Sequence, residues 1–471
     1  MNPLWSSADF IAAIAPSEQP GLIEDVEGIS IDSRTVQPGD AFFAIKGERF
    51  DGHAFARAAL GAGASVVVLE TAQRKEFPDL SERVVFVEDV LEALERLGQA
   101  ARERMSGKVI AITGSVGKTS TKDALWAALK PSGKVHAAVS SFNNHWGVPV
   151  TLARMPQDTD FGIFEVGMNH PGEIRRLIGM VRPDLAMITT IVAAHIGNFA
   201  TIDEIAAAKA EIFEGVVPGG AVLFNGDIPF SSFLDEKARG QGIDCRFRFG
   251  TAADADVRCV SLKMSPEGSD LDLSLFGRSL SCHIGAPGEH LAMNALAVLG
   301  AVELVGGSAE AGCQALSGHG ASKGRGKRHE LSVGDGSFLL VDESYNANPS
   351  SVAAALQALG LMGTVRRKIA VLGDMLELGE DSAALHEGLI DPLMKANIDL
   401  VYLCGPEMAH LLEKVPIAMR GTYAKASADL IAPLADDICA GDVVMVKGSL
   451  GSKMGPVVTA LLDRFEGRTG S

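Results

Sequence analysis

Positive charge is scarce in this 471-residue chain: 42 Lys and Arg stand against 59 Asp and Glu, a formal net charge of −17. Nucleic-acid binding needs a basic face to displace counterions, so a general role of that kind is excluded and any anionic ligand must be held locally. Cysteine is sparse too. The six cysteines (Cys245, Cys259, Cys282, Cys313, Cys404 and Cys439) include no CxxC pair, which indicates neither a zinc site nor a disulfide framework but buried, reduced thiols. No apolar run approaches the roughly 20 residues of a membrane span. The opening MNPLWSSADFIAAIA lacks a basic stretch followed by a long apolar core and a small-residue cleavage site. A cytoplasmic protein is expected. There is no internal repeat and no low-complexity tract.

What is present is apolar and small. The chain is 47% hydrophobic with 52 glycines, which suits layered α/β domains with close helix-on-sheet packing. Its length exceeds what one core sustains, so about three domains are expected. A short helical pattern opens residues 1–104. GISIDSRTVQPGDAFFAIKG then alternates apolar and polar residues around a Pro-Gly-Asp turn, and HAFARAALGAGASVVVLE reads as a helix feeding a strand. In residues 105–325, strands such as FGIFEVG, LAMITTIV and GAVLFNGD alternate with helices such as IDEIAAAKAEIFEGV, the pattern of a mainly parallel sheet. VRCVSLKMSPEGSDLDLSLFGRSLSCHIG reads as a small antiparallel patch, and GHGASKGRGKRHE as a linker. In residues 326–471, SFLLVDES, RKIAVLGD, LVYLCG and DVVMVKGS supply four strands of a second, Rossmann-like α/β domain.

The strongest chemical signal is the turn Gly114-Ser115-Val116-Gly117-Lys118-Thr119-Ser120, placed where an apolar strand runs into a helix. Glycines let backbone N–H groups face phosphates, Lys118 adds a positive charge, and Thr119 offers a hydroxyl to Mg²⁺ at a positive helix N-terminus. The full spacing of such loops would put glycine at Ile112, so the turn alone also fits an incidental strand–helix junction. Glu165 ends an apolar strand, where open α/β sheets bind ligands, and a carboxylate suits Mg²⁺. Taken singly it reads equally as a solvated strand-end carboxylate, His195 as a structural histidine, and Lys209 as a lysine snorkelling to water.

TGSVGKTSTKD, NNHWGVP, Glu165 in FEVGMNHPGEI, His195 in AAHIGNF and Lys209 in AAAKAEIFEG occur in this order, and together they resemble the Mur ligase and folylpolyglutamate synthetase superfamily. The resemblance extends over essentially the whole chain. It implies three α/β domains: a UDP-sugar-binding domain, a central ATPase domain of the phosphate-loop type and a C-terminal ligase domain. It also implies ATP held by Gly114 to Ser120, two Mg²⁺ carried by Thr119, Glu165 and His195, and catalytic roles for Lys118, Glu165, His195 and Lys209, the last carbamylated. Asn143 and Asn144 fall on the substrate side. GEHLAMNALAVLG resembles the family's adenine signature, which implies a hydrogen bond from Asn294; Arg325 is the implied phosphate-reaching arginine, with Lys327 and Arg328 as neighbours in the running.

DESYNANP with GDMLELG resembles the family members that join D-alanyl-D-alanine to UDP-N-acetylmuramoyl-tripeptide in peptidoglycan synthesis. This implies Asp342, Tyr345 and Asn346 near the nucleotide and Asn348 within reach of nucleotide or dipeptide. Asp374, Met375 and Glu377 would line the acceptor side, and Ser350 would cap the helix that follows. Lys447 and Ser449 match the family's K-G-S-R, but Leu450 stands where the arginine would be. IDSRTVQPGDAFFAIKGERFDGHAFA resembles the UDP-binding domain, implying that Asp32, Ser33, Arg34, Lys46, Gly47, Asp51 and His53 hold the sugar nucleotide; without relatives it reads as a hairpin. A monomer is the family default. The alternatives are another amide ligase of the superfamily, or a nucleotide-binding regulatory protein that would show no amine-dependent phosphate release.

Overall fold

The computed structural model describes residues 3–17, 23–47, 50–78, 83–139, 141–193, 198, 199, 201–320, 323–363 and 365–466. Three sheets organise them. The first has four parallel strands in the order Gly28–Ser30, Asp40–Phe43, Val66–Glu70, Val84–Val87. The first two strands are parallel neighbours, so the hairpin reading does not hold. Asp40–Phe43 is buried throughout, because Ala41 and Phe43 face one apolar cluster with Phe10 and Leu94 while Phe42 faces another with Ala59 and Val67. A strand covered on both faces loses the polar alternation that marks a half-solvated one.

The central sheet has nine strands. From one edge they run Val135–Ala137, Phe161–Glu165, Lys108–Thr113, Leu185–Ile188, Ala221–Asn225, Cys245–Gly250, Val257–Met264, Ser269–Leu275 and Arg278–Ile284. All pairings are parallel up to Val257–Met264, and the last three strands are antiparallel. The expected antiparallel patch is therefore an extension of the main sheet, joined where Phe249 registers with Val257. After Lys108–Thr113 the chain first builds outward to one side and then crosses to Leu185–Ile188 on the other. That reversal leaves a crevice at the carboxyl end of Lys108–Thr113, where such sheets bind ligands.

The third sheet has six strands, ordered Lys327–Val333, Gly336–Glu343, Val443–Lys447, Lys368–Gly373, Leu400–Cys404, Arg420–Ala424. Two of these were not legible as strands. Lys327–Val333, assigned partly to the linker, is an antiparallel edge strand, and its basic residues suit an edge that must not pair further. Val443–Lys447 sits between Gly336–Glu343 and Lys368–Gly373, which brings three strand ends and their loops to one side.

The first two units are tied together. The helix Gly147–Ala153 of the central region gives Val150 and Ala153 to the core that contains Trp5 and Leu97. Trp5 Nε1 donates to the Ala153 carbonyl at 2.9 Å and Arg154 Nε to the Ile29 carbonyl at 2.6 Å. The Arg104 guanidinium lies 3.4 Å from the Trp5 ring centroid. Of the cysteines, Cys245 is exposed rather than buried, Cys259 and Cys439 are half-buried, and all six are free thiols. No helix among the described residues is long and apolar enough to cross a membrane.

Candidate active site

The crevice at the central sheet opens into a cavity of about 680 Å³ whose far wall is the C-terminal unit. On the near wall, Gly117 caps the helix Lys118–Leu129 with φ of 85° and supplies no capping side chain, so the first N–H groups of that helix stay free for an anion. Glycine is required twice. A Cβ on Gly114 would stand 2.0 Å from Thr189 Oγ1, and one on Gly117 would be strained by its positive φ and 3.1 Å from Asn294 Oδ1. The loop is pinned from the neighbouring strand end: Ser115 N donates to the Thr190 carbonyl at 2.8 Å, and Thr189 Oγ1 donates to the Val116 carbonyl at 2.6 Å.

Around this loop lies a polar chain. Thr119 Oγ1 donates to Glu165 Oε2 at 2.8 Å, Asn143 Nδ2 donates to Glu165 Oε1 at 2.7 Å, and Arg325 donates to Thr119 Oγ1 at 2.9 Å. Ser141 Oγ lies 3.1 Å from the same threonine oxygen. Glu165 is only 2% exposed, so its charge is balanced by this network. Lys118 Nζ donates to the Gly114 carbonyl at 2.7 Å. Burial pushes the Lys118 pKa down, with Glu165 opposing that shift and Arg325 adding to it. Lys209, on the helix Ile202–Ala210, is 2% exposed, and burial, then the charge of Lys118, pushes its pKa well below the usual lysine value. His195 lies outside the described residues.

The far wall carries Glu343, Tyr345, Asn346, Asn348, Glu377, Lys447, Ser449 and Leu450, while Asn294 completes the near one. Lys447 Nζ is 3.2 Å from Glu343 Oε2 and donates to the Asn346 carbonyl at 3.0 Å. Ser449 Oγ donates to the Ala347 carbonyl at 3.2 Å and accepts from Leu376 N at 2.9 Å, fastening three loops together. Leu450 stands 68% exposed at the mouth. Of the three basic candidates, Arg325 lines the cavity, with its guanidinium 4.3 Å from the Tyr345 ring centroid. Arg328 instead donates to the Pro266 carbonyl, and Lys327 is exposed on the edge strand.

Several expected residues have other partners. Asp342 does not line the cavity; its carboxylate accepts from Gly324 N at 2.8 Å and Ser344 Oγ at 2.6 Å, holding the segment before the edge strand. Asn144 caps the helix Gly147–Ala153 through Gly147 N at 2.9 Å. Asn348, not Ser350, caps Pro349–Gly360, with proline in the first turn and a reciprocal bond from Ser351. Asp374 accepts from Met408 N at 2.9 Å and Met375 is 1% exposed in the core, so only Glu377 of that trio lines the cavity. Buried His386 accepts from Met375 N at 3.0 Å, a structural place. Ser141 and Glu343 were missed: each is a common residue type beside a recognised motif, and only folding brings it to Thr119 or Lys447.

The residues expected at the sugar nucleotide cluster on the first unit, away from this cavity. Asp32 and Arg34 form an ion pair at 2.6 Å near the surface, with Ser33 half-buried between them. Lys46 and Asp51 pair through their backbones as an isolated antiparallel β-bridge, and buried His53 lies 2.6 Å from Asp51 through Nδ1 while Nε2 accepts from Glu70 N at 3.1 Å. A Cβ on Gly47 would come 2.8 Å from the Trp146 ring, so this glycine marks close contact with the central unit.

A strand–loop–helix anion site, a buried carboxylate beside a hydroxyl, and a second α/β unit facing both define a nucleotide-dependent enzyme of several domains. Family models describe the same three units: the Mur ligase family catalytic domain matches residues 25–102, the Mur ligase middle domain residues 112–302, and the Mur ligase glutamate ligase domain residues 327–450. The chain belongs to the Mur ligase family. A relative from Bacillus subtilis (strain 168), UDP-N-acetylmuramoyl-tripeptide–D-alanyl-D-alanine ligase, is 32% identical over 442 residues, covering 93% of each chain. Among solved structures, MurF from Acinetobacter baumannii matches with a TM-score of 0.83 at 28% identity, covering 98% of this chain and 99% of that one. MurF ligase from Thermotoga maritima in complex with ADP matches at 0.78 and 26% identity, covering 94% and 98%.

Proposed function

We propose that this chain is an ATP-dependent ligase that joins D-alanyl-D-alanine to UDP-N-acetylmuramoyl-tripeptide, giving the pentapeptide precursor of peptidoglycan. The observation that carries this reading is the shared cavity: a phosphate loop on one wall faces the DESYNANP and Lys447 segments on the other. The units 1–104, 105–325 and 326–471 then serve the sugar nucleotide, ATP and the acceptor respectively. The cavity is built from one chain, which supports a monomer as the working unit, and its nucleotide-linked substrates support a cytoplasmic setting.

The residues present fit the nucleotide and its metal. The loop's glycines and uncapped helix start leave N–H groups for phosphate. Thr119 and Glu165 offer a sparse, all-oxygen set, as Mg²⁺ prefers when phosphate and water complete its shell. His195 is the further candidate for a second Mg²⁺. Bound Mg²⁺ would neutralise charge on the phosphates during transfer. Lys118, at the loop, adds a fixed positive charge there. The tripeptide carboxylate attacks the γ-phosphorus, ADP leaves, and an acyl phosphate forms. The dipeptide amine then attacks the acyl carbon, phosphate leaves, and the amine gives up a proton. Positioning and exclusion of water by the two facing units supply most of the catalysis.

Lys209 supports a carbamylated state. Burial favours its neutral amine, the form that adds CO₂ with loss of one proton, and the resulting anion is attracted to the Lys118 ammonium. Asn294 beside Gly117, and Tyr345 and Asn346 across from it, are placed for the nucleoside end. Asn348, Lys447 and Ser449 are placed for the acceptor. Asp32, Ser33, Arg34, Lys46, Gly47, Asp51 and His53 would hold the UDP-sugar.

The test is phosphate release from Mg-ATP and UDP-N-acetylmuramoyl-tripeptide, with and without D-alanyl-D-alanine, with the product mass recorded. Dipeptide-dependent release with a mass gain of one dipeptide unit is expected. Release that ignores the dipeptide would sink the reading.

A further inference from the structure

Thr119 has one hydroxyl hydrogen and two lone pairs. The hydrogen goes to Glu165 Oε2, 2.8 Å away, since a carboxylate can only accept. One lone pair takes the N–H of Arg325 at 2.9 Å. With its hydrogen committed to Glu165, Thr119 can meet Ser141 Oγ, 3.1 Å away, only by accepting, which engages the second pair. The oxygen that a divalent cation would coordinate is therefore fully subscribed in the nucleotide-free chain. A cation can use it only by evicting Arg325 or Ser141.

Charge decides which donor leaves. Ser141 is neutral and can turn its hydroxyl hydrogen away, whereas a guanidinium beside a divalent cation meets direct repulsion. Arg325 is also anchored in the C-terminal unit. Gly324 N donates to Asp342 Oδ2 at 2.8 Å, Gly326 N donates to the Asp342 carbonyl at 2.8 Å, and Tyr345 N donates to the Gly324 carbonyl at 3.1 Å. These bonds strap the arginine's backbone to the third sheet, and the Tyr345 ring supports its guanidinium from the same side. Only the tip of Arg325 crosses to Thr119.

We propose that Arg325 is a built-in counter-cation of the empty site: it occupies the place beside Thr119 and Glu165 until a divalent cation displaces it, so metal loading and the Arg325 contact exclude each other. This rests on the reading of Thr119 and Glu165 as a metal site. Tyr345 is then a positioning residue that keeps the displaced guanidinium inside the cavity, facing the phosphates.

The experiment measures Mn²⁺ binding to the nucleotide-free protein by the electron paramagnetic resonance of free Mn²⁺. Arg325→Ala is expected to bind Mn²⁺ about tenfold more tightly than the parent, the scale of one partly screened charge contact. Ser141→Ala should stay within about twofold, because a neutral donor is lost. Glu165→Gln in the Arg325→Ala background should abolish the gain, which locates the ion. Thermal melts confirm that each variant is folded. Equal affinity in Arg325→Ala and the parent would overturn the proposal, as would an equal gain in Ser141→Ala. No nucleotide or peptide enters this measurement, so its failure is separable from failure of dipeptide-dependent phosphate release.

Discussion

Lys209 is buried in the electrostatic field of Lys118, and among the described residues it forms no ion pair. An unpartnered ammonium in that place is costly, which favours the neutral amine that the proposed carbamate requires. Replacing Lys209 with alanine should reduce kcat by at least about 100-fold, the scale of losing a group that supports transition-state charge. Added formate or acetate should restore part of the rate by placing a carboxylate in the vacated space. Activity of Lys209→Ala at the parent level, or loss with no carboxylate rescue, would remove the carbamate from the mechanism.

Gly114→Ala would drive a methyl group into Thr189 Oγ1, 2.0 Å from the ideal Cβ position. That hydroxyl holds the Val116 carbonyl, so the loop must shift. ATP affinity should fall by at least about tenfold while the fold survives, since a local backbone conflict costs about 1–3 kcal/mol. Calorimetric titration with a non-hydrolysable ATP analogue checks this.

Acid should destabilise the protein through three histidines. Burial holds His136, His290 and His319 below the usual value of 6.5. Between the lowered folded values and 6.5 the unfolded chain binds more protons, so stability is complete above 6.5 and declines as pH falls below it. The melting temperature followed from pH 7.5 downward should show this, and His290→Gln should flatten the decline by removing one of the three titrations. An unchanged slope in that variant would assign the effect elsewhere.

Leu450 is 68% exposed at the cavity mouth, so changing it should cost within about 0.5 kcal/mol. The acceptor carries a carboxylate. Leu450→Arg should lower KM for the dipeptide and Leu450→Asp should raise it, with KM for ATP unchanged. A parallel change in KM for ATP would show that position 450 touches the nucleotide instead.

The loop, Glu165 and the third sheet's strand ends were legible because each couples a run of buried residues to a chemically distinctive turn, whereas Asn294, inside the helix Glu289–Leu304, was marked only by the resemblance of its motif. Asn144 and Asp342 were harder. Their motifs mark them, yet their side chains serve a helix cap and a backbone strap, and nothing local separates an asparagine or aspartate that binds a ligand from one that satisfies a backbone N–H. The strands Lys327–Val333 and Arg420–Ala424 carry too few buried apolar residues to stand out; edge position, a property of the assembled sheet, makes them strands. The parallel start of the first sheet was hidden because pairing direction is set by what covers the faces.

The docking of Trp5 and Arg154 across the first two units has a consequence for substrate choice. Under the proposed function, with the sugar nucleotide on the first sheet and the phosphate loop on the second, those bonds would turn the intervening span into a ruler. A peptide stem that is one residue short would leave its carboxylate stranded before the γ-phosphate, and one that is longer would buckle, so the donor would be measured by reach.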